Sequence, residues 1–377
     1  MKKKVWFLIA ALVTLLAVVT FWLISTHTSK SKDEIRIGVL LPLTGGAASL
    51  GKAALHGMET AISEYNAKRN PSEPQIRLVV EDTKAAPAVG VSAFQKLLTS
   101  DKVCAVLGPL ASGVTLAVAP LAERNQIVIL SPGASAPSIT YAGDYVFRNE
   151  LSEEFGARMQ ARLAFEKLGF RSIALLYINN EYGVGTTKVF KEQFTELGGR
   201  ILADEAFEPG TTDYRTLLTK IKSEHPDAMF VVYQDDIVNI IRQCKDLGIS
   251  IPIFTTPVFE NPENLTKLGA LAEGVIYTFY GTFQNTATSG AAGEFVKAYR
   301  NRYGSPPTYY AALGYDAANL LIEALRSADF DTDLIKEHLY KIRNYPGVTG
   351  NTTVDENGDV SKPVSLKIVR GGRFVPY

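Results

Sequence analysis

The chain has 377 residues, with 39 basic and 39 acidic side chains and a formal net charge of zero; 46% of its residues are hydrophobic and 21% charged. That is an ordinary globular composition, and its length suggests two domains. With no net charge and no basic patch, the chain is not one that holds nucleic acid through a cationic surface.

Lys2–Lys4 precede Val5–Ile24, a run without a charged residue. As a helix its twenty residues would reach ~30 Å, about one hydrocarbon thickness. Lysines before an apolar run also open a secretory signal, and the cationic end stays in the cytoplasm. No second such run follows, so the remainder is expected outside the cytoplasm. The run is longer than a usual signal core, and "STHTSKSKDE" after it offers only Thr26 and Thr28 as a marginal cleavage site. No cysteine near its end provides for a lipid anchor. We read residues 5–24 as an inner-membrane anchor, with a cleaved signal as the alternative, and residues 1–32 as that segment plus a tether.

From residue 33, short β-branched runs alternate with helical patterns. "IRIGVLLPL", "QIRLVVED", "VCAVLGP" and "IVILSP" read as strands, with helices between them. The alternation restarts after "VFRNELSEEF" with "SIALLYIN", "RILADEAF", "AMFVVY" and "PIFTT". Such alternation predicts parallel sheets covered on both faces, and near-continuous apolar strands fit that burial. Gly169, Gly198 and Gly248 mark helix ends. Two helical segments follow at 290–302 and 308–328, and the tail reads as a β-hairpin turning at Asn357-Gly358. The expected lobes are 33–150 plus 281–350 and 151–280 plus 351–377.

Signals for catalysis are missing. There is no phosphate loop, no G-x-G-x-x-G after the first strand and no G-x-S-x-G elbow; none of the four histidines has an obvious acid partner. Asp355, Asn357 and Asp359 have calcium-loop spacing, but Val360 and Leu366 stand where glycine and glutamate are needed. Cys104 and Cys244 lie in different element types and read as two buried thiols. We expect no enzyme, no cofactor and no metal.

Ligands of open α/β sheets bind beyond the carboxyl ends of strands. There the first half places Ser112 at a helix N-cap and Ser135 in "SPGASAPS"; the second places Tyr182 in "NNEYGVG", Tyr233 in "YQDD" and the stretch "TTPVFE". Small hydroxyls at helix N-termini suit a carboxylate. A cleft between the two sets suits a small polar molecule with an apolar part.

Several linked segments resemble type I periplasmic substrate-binding proteins of the leucine/isoleucine/valine-binding kind. They include "KDEIRIGVLLPLTGGAASLGKAALHGMETAISEYNA", "DKVCAVLGPLASGVTLAVAPLAERNQIVILSPGASAPSIT" and "YGSPPTYYAALGYDAANLLIEAL". The resemblance runs from about Asp33 to the end. It implies two doubly wound parallel-sheet lobes joined by a three-segment hinge, closing like a flytrap on a small ligand for a membrane ABC permease. It implies that Ser112 grips a ligand carboxylate, that Gly133, Ala134 and Ser135 add backbone and hydroxyl contacts, and that Tyr182 and Tyr233 close from the second lobe. Two positions depart from the family's pattern. Leu50 precedes Gly51 where an aromatic is common, and Val258 stands where an acid would meet the ligand ammonium. A strand shifted by two residues keeps its facing, which makes Glu260 the substitute, with Asp235 and Asp236 as further candidates. Without such an acid the ligand is a carboxylate, an aromatic acid or an amide. A ligand-sensing receptor of the same fold is the alternative to transport.

Overall fold

The computed structural model describes residues 34–234 and 236–377. The expected anchor and tether lie outside the described residues, as does Asp235. Among the described residues no helix is long and apolar enough to cross a membrane.

The first sheet is built from β1 (Glu34–Leu41), β2 (Gln75–Asp82), β3 (Ala105–Leu107), β4 (Val128–Ser131) and β5 (Val146–Arg148), in the order β2-β1-β3-β4-β5. All its neighbours are parallel. Helices α1 (Ala48–Lys68), α2 (Pro87–Thr99) and α3 (Ser112–Asn125) make the connections. Strands β3, β4 and β5 are buried at every residue, as in a sheet covered on both faces, whereas the edge strand β2 is only partly covered.

The second half supplies α4 (Glu153–Arg162), β6 (Ser172–Ile178), α5 (Glu181–Glu196), β7 (Arg200–Phe207), α6 (Arg215–Ser223), β8 (Ala228–Val232), α7 (Ile237–Asp246), β9 (Ile253–Thr255), α8 (Pro262–Leu268) and β10 (Ile276–Tyr280). The chain then returns to the first lobe through α9 (Gly290–Tyr303), α10 (Tyr309–Ser327) and α11 (Ile335–Tyr340), and a small sheet of β11 (Tyr345–Gly347), β12 (Gly350–Val354) and β13 (Val360–Ser361). Last come β14 (Val364–Arg370) and β15 (Arg373–Pro376), which complete the second sheet in the order β15-β14-β10-β9-β8-β6-β7.

The tail corrects one expectation. It holds two hairpins, not one, and they belong to different lobes. The β12–β13 hairpin does turn at Asn357-Gly358, but it packs on the first lobe: Val354 and Val360 are buried in the same cluster as Leu130 and Phe147. Residues 351–361 were expected in the second lobe. The lobe changes only at Lys362-Pro363, where a proline cannot extend a strand ladder. The β14–β15 hairpin, turning at Gly371-Gly372, then pairs antiparallel with β10.

The chain thus passes between lobes after β5, after β10 and after β13. The passages are tied together. Lys362, buried, donates from Nζ to the Asn149 carbonyl at 2.6 Å, to Asn149 Oδ1 at 2.9 Å and to Thr349 Oγ1 at 2.8 Å. The Gly281 N–H donates to the Pro363 carbonyl at 2.7 Å. Burial lowers the Lys362 pKa and raises that of Asp316, which accepts from the Val348 and Thr349 N–H groups at 2.8 Å.

Helices α1 and α10 meet backbone to backbone. A Cβ on Gly57 would stand 1.9 Å from the Ala311 carbonyl oxygen, and one on Gly314 would stand 2.1 Å from that of Ala54. Gly57→Ala is therefore expected to destabilise the fold by about 1–3 kcal/mol, since the clash is with backbone that cannot rotate away. Urea unfolding measures this; an unchanged midpoint would mean that the helices have room to part.

Candidate ligand-binding site

Between β3 and α3 the segment Pro109-Leu110-Ala111 carries the chain to the carboxyl edge of the first sheet. Ala111, not Ser112, is the N-cap of α3. Ser112 is the first helical residue, so its hydroxyl is not used to cap. It accepts instead from the Ala136 N–H at 3.2 Å, linking the start of α3 to the loop after β4. Within that loop Ser131 Oγ donates to the Pro109 carbonyl at 2.6 Å and accepts from the Ala134 N–H at 2.8 Å. A Cβ on Gly133 would lie 2.9 Å from Leu110 Cδ1 and 3.1 Å from Tyr310 Cε1, so the loop approaches its neighbours as closely as glycine allows.

Facing this edge, Asn180 caps α5 by accepting from the Gly183 N–H at 2.9 Å, which sets Tyr182 in the first turn. The Tyr182 hydroxyl donates to Thr256 Oγ1 at 2.7 Å. A cavity of about 30 Å³ lies between the two edges, lined by Leu50, Ser112, Gly133 and Ser135 from one side and by Tyr182, Gln234 and Val258 from the other; Tyr310 and Leu110 add to its wall. That volume holds a water or two, so anything larger enters only when the lobes part.

Of the residues named from sequence, the structure brings Leu50, Ser112, Gly133, Ser135 and Tyr182 to one cavity. Ala134 is fully buried, and its N–H is already donated to Ser131. Tyr233 is buried beside Gln234 and does not line the cavity; its hydroxyl has no hydrogen-bond partner among the described residues, with Asn264 nearby outside bonding geometry. Asp236 caps α7 through the Asn239 N–H at 3.1 Å. Glu260 is the clearest correction. Residues Pro257–Phe259 form a 3₁₀ turn, not a strand, so a two-residue shift does not preserve facing. Val258 meets the cavity, and Glu260 points to Lys367, whose Nζ lies 2.6 Å from its Oε1.

One buried acid whose charge reaches this cavity's tyrosines was missed. Glu153 opens α4 at the first passage between lobes, and its N–H donates to the Ser135 carbonyl at 2.9 Å. Its carboxylate accepts from the Tyr280 hydroxyl at 2.8 Å. Burial pushes its pKa up to about 8; the Tyr280 hydrogen bond opposes the shift and the Glu150 charge adds to it. Glu150 beside it, accepting from Tyr309 at 3.0 Å, is pushed up by burial to about 7. The Tyr182 hydroxyl is raised well above its ordinary value by burial and then by the Glu153 charge. The same two acids, after burial, raise Tyr310. Glu153 therefore sits within electrostatic reach of both cavity tyrosines. The visible signal was three acids, Glu150, Glu153 and Glu154, in the lobe junction "RNELSEE".

Among the described residues no group of His, Cys, Asp and Glu is placed to hold a metal ion. A profile of the family described as periplasmic binding protein matches residues 34–373. Among similar proteins, the Leu/Ile/Val-binding protein BraC3 of Rhizobium johnstonii is 28% identical over 348 residues, spanning 91% of this chain and 93% of its own. The crystal structure of leucine binding protein LivK from Thermotoga maritima superposes with a TM-score of 0.83 at 31% identity, covering 91% of this chain and 97% of that one. The branched-chain amino acid transporter substrate-binding protein LivJ from Streptococcus pneumoniae, in complex with isoleucine, gives 0.81 at 31% identity, covering 90% and 97%.

Proposed function

The chain belongs to the periplasmic binding protein family, and from that premise we propose that it captures an amino acid with an apolar side chain between its lobes, outside the cytoplasm, and delivers it to a membrane ABC permease. The observation that carries this reading is a cavity lined by hydroxyls and apolar side chains with a buried acid in the layer behind it. Ser112 opens α3 and Ser135 stands in the loop bonded to it, where hydroxyls, backbone N–H groups and the helix dipole suit a carboxylate. Glu153, behind Ser135, supplies the acid for an ammonium group. Leu50, Leu110 and Val258 offer apolar surface for the side chain. The relatives that bind leucine or isoleucine by name support the same ligand class. The lobes in this reading are residues 33–150 with 281–361 and residues 151–280 with 362–377, and residues 5–24 hold the protein to the membrane beside its permease.

Thermal unfolding of the full chain tests the ligand class. Leucine, isoleucine or valine at 100 times Kd should add ~2.7 kcal/mol of stability. A response confined to acids without an amine, such as 4-methylpentanoate, would overturn the amino-acid assignment. Ser112→Ala should weaken leucine binding by about 1.5–3 kcal/mol, the usual worth of a hydrogen bond to a charged group. Unchanged affinity by calorimetry would remove Ser112 from the site.

A further inference from the structure

A larger cavity, about 520 Å³, lies where the second lobe meets the chain returning to the first (Phe283–Thr286 and Thr308-Tyr309), and it shares no lining residue with the cavity described above. It is bounded by the β14–β15 hairpin, the start of α8 and the loop that follows the second passage between lobes. Its base is a fixed charged cluster. Tyr277 and Lys367 are register partners on β10 and β14. Lys367 Nζ lies 2.6 Å from Glu260 Oε1, and the Tyr277 hydroxyl donates to Glu260 Oε2. Both side chains of the ion pair are largely buried, at 17% and 16% exposure. The Lys367 ammonium also lies 3.9 Å from the centre of the Phe279 ring. Phe283, Phe374 and Leu265 form apolar walls. At the rim, Arg373 makes no side-chain ion pair or hydrogen bond with any described residue.

The charges decide what fits. Glu260 is already bonded to Lys367 and Tyr277, and the Lys367 ammonium neutralises its charge. Lys367 and Arg373 against Glu260 give two positive charges to one negative, and the uncompensated one is Arg373. We propose that this cavity is a second ligand site, distinct from the cleft, for a small monocarboxylate with an aromatic or apolar body and no amine. The carboxylate pairs with the Arg373 guanidinium, which presents two parallel donors to such a group, and the body lies against Phe283 and Phe374. The proposal does not rest on the ligand assigned to the cleft.

Calorimetric titration of the full chain with phenylacetate tests it. Saturable one-to-one binding is expected, retained in Ser112→Ala and with leucine present in excess. Arg373→Gln, at the exposed first residue of β15, should weaken it about tenfold. Phenethylamine, with the same ring and the opposite charge, should not bind. Four results would each overturn the site: no saturable phenylacetate binding, loss of binding in Ser112→Ala, displacement by leucine, or unchanged affinity in Arg373→Gln. The Arg373 comparison reads the same whichever ligand the cleft takes.

Discussion

Replacing Asp359 by alanine is expected to destabilise the protein by about 3–5 kcal/mol, the cost of leaving one member of a buried ion pair without its partner. Arg148 is wholly buried at the end of β5. Its Nε and Nη2 donate to the two Asp359 carboxylate oxygens, each at 2.6 Å. Nη1 donates to the Ala136 carbonyl at 3.0 Å and Nη2 also to Thr140 Oγ1 at 2.8 Å. Asp359→Ala would leave a guanidinium in a dry site with only neutral acceptors. Urea unfolding reads the loss directly, and a change below about 1 kcal/mol would place the pair among ordinary surface ion pairs. The consequence reaches the cleft, because Ala136 N–H is the donor to Ser112 and its carbonyl is held by Arg148. Ligand affinity in Asp359→Ala should therefore fall along with stability.

Glu153→Gln should weaken leucine binding by about 2–5 kcal/mol, roughly 30-fold or more, as expected when one member of a buried charge pair is removed. It should leave 4-methylpentanoate, which has no ammonium, nearly unaffected. Equal loss for both ligands would mean that Glu153 only holds the loop. A proton balance follows from the same residue. With its pKa near 8, the carboxyl is mostly neutral at pH 7 in the empty cleft. An arriving ammonium favours the ionised form, so leucine binding should release a proton that 4-methylpentanoate binding does not. Calorimetry in buffers of different ionisation enthalpy measures this. The sign for stability is opposite to that of a salt-bridged acid. The folded protein keeps the proton between the ordinary pKa of 4.5 and about 8, where the unfolded chain has lost it. Stability should therefore fall as pH rises through that window. Glu150 adds a similar decline from 4.5 to about 7. Glu153→Gln should flatten the alkaline part of the slope, and an unchanged profile would mean that Glu153 does not titrate there.

Most of the architecture was legible because buried parallel strands and their helices write continuous apolar runs and 3.6-residue patterns into the sequence. The first-lobe wall of the cleft was legible for a related reason. Ser112 and Ser135 stand at strand ends, and strand ends are where such sheets bind ligands. What failed was facing. Glu260 was assigned by strand periodicity in a segment that is a 3₁₀ turn. Tyr233 was named on its position at a strand end, yet its ring turns into the core and the next residue, Gln234, meets the cavity. Glu153 and Tyr310 belong to elements far apart in the chain that only the passages between lobes bring to the cleft. No local pattern records that meeting.

The order in which the chain is made acquires a meaning from the β12–β13 hairpin. The first lobe buries Val354 and Val360 with Leu130 and Phe147, and closes α1 against α10. Its core is thus incomplete until nearly the whole polypeptide exists, although its sheet is finished by Arg148. A partial chain emerging from the ribosome would hold an open sheet with part of its cover still unmade. Folding of the first lobe would then wait for the end of synthesis, as the proposed export across a membrane requires.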